Sequence, residues 1–225
     1  MVRVKVDSHV HLLLKKKQKN PDWEVVRQVI GAAKINELDA ICVTEHIEAD
    51  AYDALMHGLF LENKLEANFH DDGTLICQGV GVFPGAELEL ANRMNVGVHT
   101  DLYVLMSLNR RPGFYTLETL HDALVKRGRP FKLVAHHIFW PGKTCDDLNA
   151  LKRCLNAIEV PAKDLANVQK YLELARLLRL QTTGGSDAHT FIQVGACHTV
   201  FQLQDHEEYC TAKLNRPGFR GGLNS

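Results

Sequence analysis

The chain has 225 residues, 45% hydrophobic and 24% charged, which is enough to bury one core and excludes disorder as the default state. Its formal net charge is -1 with histidine neutral, so no global field draws it to nucleic acid or to an anionic membrane. No apolar run approaches the length of a membrane span, and the opening MVRVKVD alternates as a strand does rather than reading as a secretion signal. The six cysteines (Cys42, Cys77, Cys145, Cys154, Cys197, Cys210) form no CxxC pair and no regular framework, which fits structural thiols in a reduced, cytoplasmic enzyme. Twelve histidines are the unusual count, and their positions matter more than their number.

Short apolar strands alternate with amphipathic stretches along the chain. Residues 2–6 read as a strand and are followed by a lysine-rich loop. Residues 22–38 read as a helix, with Trp23, Val26, Ile30, Ala33 and Leu38 near helical spacing. A strand is expected at 39–43, a helix at 51–69, and strands at 82–90 and 101–106 with a turn at 92–97 between them. A helix at 116–127, closed by Gly128 and Pro130, leads to a strand at 131–135. A short helix at 145–155, a strand at 157–160 and a long helix at 164–180 follow, then strands at 181–184 and 195–201. This alternation predicts a parallel α/β arrangement. Candidate site residues fall at the ends of many different strands, which favours a closed barrel over an open sheet. No GxGxxG or GxxxxGK[ST] loop supports a nucleotide-cofactor fold. Residues 1–214 read as a single domain and 215–225, rich in glycine and polar residues, as a C-terminal tail.

Chemistry concentrates where the strands end. In Asp7-Ser8-His9-Val10-His11, side-chain alternation sends His9 and His11 to one side as a natural pair of metal ligands. Asp7 shares that face as a candidate acceptor for a ligand ring. An HxH pair alone is weak, but the pattern repeats: Thr44-Glu45-His46, then Pro84-Gly85-Ala86-Glu87, then His99 with Asp101, then Ala135-His136-His137, and finally Gly184-Gly185-Ser186-Asp187-Ala188-His189. Each residue taken singly reads equally well as a surface or core side chain. Their joint placement points to a metal centre.

These segments resemble the PHP (polymerase and histidinol phosphatase) family over roughly residues 2 to 202. DSHVH is similar to that family's DxHxH, TEH to its TDH, PGAE to its GxE, AHH to its AHP, AIEV to its IEV, and GGSDAH to its closing GSDAH. The resemblance implies an irregular seven-stranded (βα)7 TIM-like barrel binding two or three divalent metal ions. It implies that His9, His11, Glu87 and Asp187 hold one ion, that Glu87 bridges to a second with His136, and that His46 and His189 serve the third. The family's usual extra ligand after HxH has no counterpart in LLLKKKQK. The strand-four ligand is Asp101 by register or His99 by residue type. Mixed nitrogen and oxygen ligation suits Zn²⁺, Mn²⁺ or Fe²⁺.

A Ser–His–Asp relay is excluded, because Ser186, Asp187 and His189 are nearly adjacent in sequence. The expected chemistry is hydrolysis of a small phosphate monoester (a nucleotide, a sugar phosphate or a histidinol-phosphate-like ester) by a metal-bound hydroxide, with Asp187 among the catalytic set and His46 or His189 as general acid. Because ligand imidazoles must be neutral, activity is expected to fall below about pH 6. Lys15, Lys16 and Lys17 form either a solvated loop or an anion contact. Trp140 packs in the core or walls a substrate pocket, and Arg110 clamps phosphate or lies on the surface. The alternatives are an exonuclease or phosphodiesterase acting on nucleic acid ends and a non-catalytic metal-binding scaffold. Amidohydrolases and TatD-like nucleases share the opening HxH but lack the Glu87 element and the histidine two residues beyond the final aspartate.

Overall fold

The computed structural model describes residues 2–69, 74–143, 145 and 147–203. The strands are β1 (Val2–Val10), β2 (Ala40–Val43), β3 (Asn68–Phe69), β4 (Leu75–Cys77), β5 (Val80–Glu89), β6 (Asn95–Thr100), β7 (Phe131–His136), β8 (Ala157–Pro161), β9 (Gln181–Gly185) and β10 (Thr199–Leu203). The helices are α1 (Trp23–Ile35), α2 (Tyr52–Phe60), α3 (Leu102–Met106), α4 (Leu117–Lys126), α5 (Leu148–Cys154) and α6 (Val168–Leu178), with 3-10 segments at Ala162–Asn167 and Phe191–Gln193.

Seven strands follow one another around the sheet in the order β1-β2-β5-β6-β7-β8-β9. The ring shuts between β9 and β1 through a single parallel bridge, Val10 to Ala188. There the Asp187 amide donates to the His9 carbonyl and the His11 amide to the Ala188 carbonyl, each at 2.9 Å. β10 adds antiparallel to the first part of β1, from Val2 opposite Leu203 to Val6 opposite Thr199. This is the expected irregular seven-stranded barrel. It is not wholly parallel: β6 runs antiparallel to both β5 and β7. The β5–β6 connection is a tight turn in which Arg93 takes a φ of 69° and Asn92 accepts from the Met94 amide. A turn that short can join only antiparallel strands.

Two apolar layers support the ring. Ile41, Val43 and Val82 face outward into the main core with Val26, Val29, Ile30 and Ala33 of α1. On the opposite strand faces, Val4, Val6, Ala40, Cys42 and Phe83 pack together, with Phe201 of β10 against them, and plug the end of the barrel away from the site. Asp22 starts α1 by accepting the amides of Glu24 and Val25, and Thr116 starts α4 with a reciprocal capping box to Thr119.

Several expected elements shift. Residues 101–106 form α3 rather than a strand, because the Asp101 carboxylate accepts the Val104 amide and so opens a helical turn in a short apolar run compatible with either form. The strand lies instead at β6, across residues expected to turn. The helix expected at 51–69 stops at Phe60: Asn63 and Glu66 take positive φ, and the Asn63 side chain bonds both the amide and the carbonyl of Ala67. The β3–β4 pair follows. The helix expected at 164–180 begins only at Val168, after a 3-10 segment broken at Asp164, and the last strand begins at Thr199 rather than at 195. The proposed tail at 215–225 lies outside the described residues. No helix among the described residues is long and apolar enough to cross a membrane.

Candidate metal centre

The site grows from an irregularity in β1. That strand advances three residues from Asp7 to Val10 while β2 advances two, from Ile41 to Val43. Such a bulge re-aims side chains without ending the sheet. It falls in the segment that carries His9 and His11, both completely buried, and brings their Nε2 atoms within 3.0 Å of each other. The far nitrogen of each ring is committed to a carboxylate. His9 Nδ1 lies 2.6 Å from Glu159 Oε1, and His11 Nδ1 lies 3.2 Å from Glu45 Oε1. Asp187 Oδ1 completes the group, 3.2 Å from His11 Nε2 and 3.6 Å from His9 Nε2. With the protons on Nδ1, both Nε2 lone pairs and one carboxylate oxygen converge. A metal-binding histidine oriented by a carboxylate has this arrangement.

Glu87, at the end of β5, lies at the middle of the remaining histidines. Its Oε1 is 3.1 Å from His136 Nδ1 and 3.1 Å from His137 Nε2, and its Oε2 is 2.8 Å from His46 Nδ1. Oε1 is also 3.7 Å from His9 Nε2, and Oε2 is 3.9 Å from His11 Nε2. Three sets of donor atoms lie within 4.8 Å of one another: His9 with His11 and Asp187, His9 with His136 and Glu159, and His11 with His46 and His189. Nitrogen and oxygen donors of this kind suit a borderline divalent ion. The space is kept open by glycine. A Cβ on Gly97 would overlap the His136 ring, and one on Gly185 would overlap Glu159 Oε1.

The charges are mutually compensating. Burial by itself would raise Glu87, but hydrogen bonds from His136, His137 and His46 hold its carboxyl well below the ordinary value. Burial likewise opposes ionisation of Glu45 and Glu159, and their histidine neighbours nevertheless pull both down to about 2. Burial, assisted by His136, lowers His9 to about 4, so it is a neutral ligand at physiological pH. For His11 burial acts downward, and Glu45, Asp187 and Glu87 outweigh it, raising the imidazole to about 10. In the ion-free protein the His11 proton therefore contributes stability that is full below the ordinary value of 6.5 and is lost as pH rises through about 10. An ion needs that same lone pair. Metal uptake at pH 8 is expected to release about one proton and to tighten with rising pH across this window. Calorimetry in buffers of different ionisation enthalpy measures the release, and uptake without a proton at pH 8 would show that His11 is not a ligand.

Most of the expected site residues come together: His9, His11, His46, Glu87, His136, Asp187 and His189 all contribute to the groups described. Asp101 does not, since it caps α3 and lies 3.7 Å from Arg129. His99 is buried in β6, opposite Gly85 and Lys132 in register, and burial, with His136 and His9 beside it, lowers its imidazole to about 3. Asp7 does not receive a ligand ring. Its carboxylate accepts the amides of His9, Ser186 and Gly195, clamping β1 to the β9 turn, and burial raises it to about 6.

Four contributors went unassigned in the sequence: Glu45, Glu159, His137 and Lys163. Glu45 and Glu159 stand inside TEH and AIEV, so a signal was present, but their ring partners are distant in the chain. Lys163 donates to the Asp187 carbonyl at 2.8 Å and to its Oδ2 at 2.7 Å. Asp187 itself holds a φ of 49°, and this contact helps to pin it.

The expected substrate contacts divide. Lys15, Lys16 and Lys17 are exposed, and Lys16 pairs with Glu48 at 2.7 Å. Arg110 pairs with Asp53 and lies 4.6 Å over the Tyr52 ring, packing α3 onto α2 rather than reaching the histidines. Trp140 stands beside the site, stacked on His137 at 4.2 Å.

Comparison with known proteins follows the same lines. PsfC from Pseudomonas syringae PB-5123 is 67% identical, with a TM-score of 0.88 over 92% of this chain and 84% of that one. The lesion-specific endonuclease PfuEndoQ from Pyrococcus furiosus is 16% identical, with a TM-score of 0.66 over 98% of this chain and 57% of its own. Endonuclease Q in complex with a 27-mer duplex carrying an abasic lesion is 15% identical, with a TM-score of 0.60 over 94% of this chain and 56% of its own. The last two share the fold. A family model described as PHP-associated matches residues 167–212. No curated protein matches the chain.

Proposed function

We propose that the chain is a PHP-type metal-dependent phosphoesterase that hydrolyses a small phosphate monoester, a reading supported by the PHP-associated match over residues 167–212 and by the barrel it shares with Endonuclease Q. The observation that carries this reading is the convergence of His9 Nε2, His11 Nε2 and Asp187 Oδ1, with both far ring nitrogens already engaged by carboxylates. His9, His11, Asp187 and Glu87 would hold one divalent ion, Glu87 and His136 would serve a second, and His46 and His189 would serve a third with His11. Divalent ions there supply positive charge for phosphoryl oxygens and lower the pKa of water toward neutrality.

The chain's own residues do the rest. Glu159 and Glu45 fix the tautomers of His9 and His11, and Lys163 holds Asp187 in place. Where no third ion is bound, His46, half-buried and 2.8 Å from Glu87 through Nδ1, has its other nitrogen for protonating the leaving oxygen. His189 is the weaker candidate for the acid. Burial, with the His11 charge, lowers it, and its Nδ1 lies 3.1 Å from the Asp187 carbonyl, so it is neutral near pH 7.

A compact substrate is favoured over a polymer by the state of the cations. Lys16, Lys19 and Arg110 are paired with Glu48, Asp50 and Asp53 instead of forming an open basic track, and the net charge is -1. The fold shared with an endonuclease is reason to include oligonucleotides in the substrate panel.

Phosphate release from an aryl phosphate should vanish on chelation, return with Mn²⁺ or Zn²⁺, and be lost in His9→Ala. Faster cleavage of oligonucleotides than of any mononucleotide or sugar phosphate would move the assignment to a nuclease. Full turnover after complete chelation would reject the metal mechanism.

A further inference from the structure

We infer that Lys163 is a substrate-binding residue, whose ammonium contacts the phosphoryl oxygens of the substrate from the open side of the centre. The inference rests on the phosphoesterase reading above and deepens it, replacing the contacts that the sequence offered in Lys15, Lys16, Lys17 and Arg110. The position of Lys163 follows from the sheet. β8 and β9 pair in parallel, from Ala157 opposite Gln181 to Pro161 opposite Gly185. Lys163 and Asp187 each stand two residues past that last pair, so the strand register carries the lysine to the aspartate. The backbone there is also fixed from the far side. Asp164, the next residue, accepts from the Tyr171 hydroxyl and from the Asn167 side-chain amide, each at 2.6 Å, and Tyr171 is completely buried.

An ammonium has three protons to donate. Two of those on Lys163 meet Asp187, at its carbonyl and at Oδ2, and the third has no acceptor among the described residues. His189 shares that carbonyl, with Nδ1 3.1 Å from it, so the lysine stands beside this histidine. The side chains of His189 and Lys163 are 39% and 35% exposed, whereas His9, His11 and Glu87 are sealed. His189 and Lys163 therefore border the approach from solvent. The two oxygens of Asp187 are divided, Oδ1 toward His9 and His11 and Oδ2 toward Lys163. An ion bound through Oδ1 would draw on the same negative charge that compensates the ammonium. Lys163 would then be less fully neutralised and suited to a charge-assisted hydrogen bond with an oxyanion. Other cations are engaged elsewhere: Lys16 with Glu48, Lys143 with Glu89 and Asn95, and Arg110 with Asp53.

Binding of inorganic phosphate to the Mn²⁺-loaded full-length chain tests this, by calorimetry at saturating Mn²⁺ and beside steady-state hydrolysis of an aryl phosphate. Lys163→Met should weaken phosphate binding by about tenfold or more, the loss of one charge-assisted hydrogen bond. It should raise KM more than it lowers kcat, with metal content at saturation unchanged. Unchanged phosphate affinity in the loaded variant would overturn the assignment. So would weaker metal binding with normal phosphate affinity once reloaded, which is the behaviour of a residue that only steadies Asp187. The loss appearing in Lys15→Met or Lys17→Met instead, or no phosphate binding by the unmodified loaded chain, would overturn it as well. If Lys163→Met does not fold by circular dichroism, Lys163→Gln carries the comparison, because its amide donates without the charge, and the same results decide it. Phosphate binding that weakens in Lys163→Met, while the unmodified chain hydrolyses no phosphate ester, would support the contact and reject the phosphoesterase reading, so the two failures are distinct.

Discussion

Glu87→Gln is expected to abolish phosphoesterase activity, lowering kcat/KM by about 10³-fold or more, and to strip the centre of at least one ion. Loss of a single electrostatic donor in an active site costs roughly 10²–10³-fold. Glu87 is more than one donor: its two oxygens lie within 3.1 Å of three imidazoles, those of His46, His136 and His137. A neutral amide keeps the shape, removes the negative charge that offsets the ions, and turns one ligand oxygen into a nitrogen that cannot bind them. The folded chain should survive, because the amide can still hydrogen-bond its neighbours. Metal content by elemental analysis, read beside the kinetics and a thermal melt, separates the effects. Full metal loading with near-normal turnover would remove Glu87 from the centre.

Gly185→Ala should damage both stability and metal binding, although glycine carries no functional group. The added methyl would overlap Glu159 Oε1 and come within 2.6 Å of His9 Cβ, and both of those residues are completely buried. Overpacking a filled interior costs about 1–3 kcal/mol, and in a chain of this size each kcal/mol lowers Tm by roughly 2–4 °C. The clash also falls on the His9–Glu159 contact, and loss of such an orienting partner typically weakens metal binding by about 10–100-fold. Calorimetric melts with and without added Zn²⁺ should therefore show a lower Tm and a smaller metal-induced rise. A variant with the Tm and metal response of the unmodified chain would mean that the backbone yields there at no cost.

The chain by itself determined the kind of fold and most of the centre, because those depend on local pattern. Strand and helix periods in 2–6, 22–38, 131–135 and 157–160 are close to the observed elements, since one apolar face per element is a property of the sequence alone. The candidate ligands His9, His11, Glu87, His136 and Asp187 were legible because each lies within about two residues of the end of a strand, and strand ends meet at one rim of a barrel.

What the tertiary structure decided was everything that depends on exact aim. Whether 101–106 would be strand or helix turned on one carboxylate meeting one amide, and that choice took Asp101 out of the centre. The bulge in β1, where Asp7 clamps the backbone while His9 and His11 converge, follows from pairing with β2 and from the turn after β9. Glu159 lies 150 positions beyond His9, and no local pattern joins them. His137 reads as pointing away from His136 until its positive φ turns it inward. Local propensity sets which elements form, but a metal centre is made by side chains from distant elements, and long-range packing alone sets their separations.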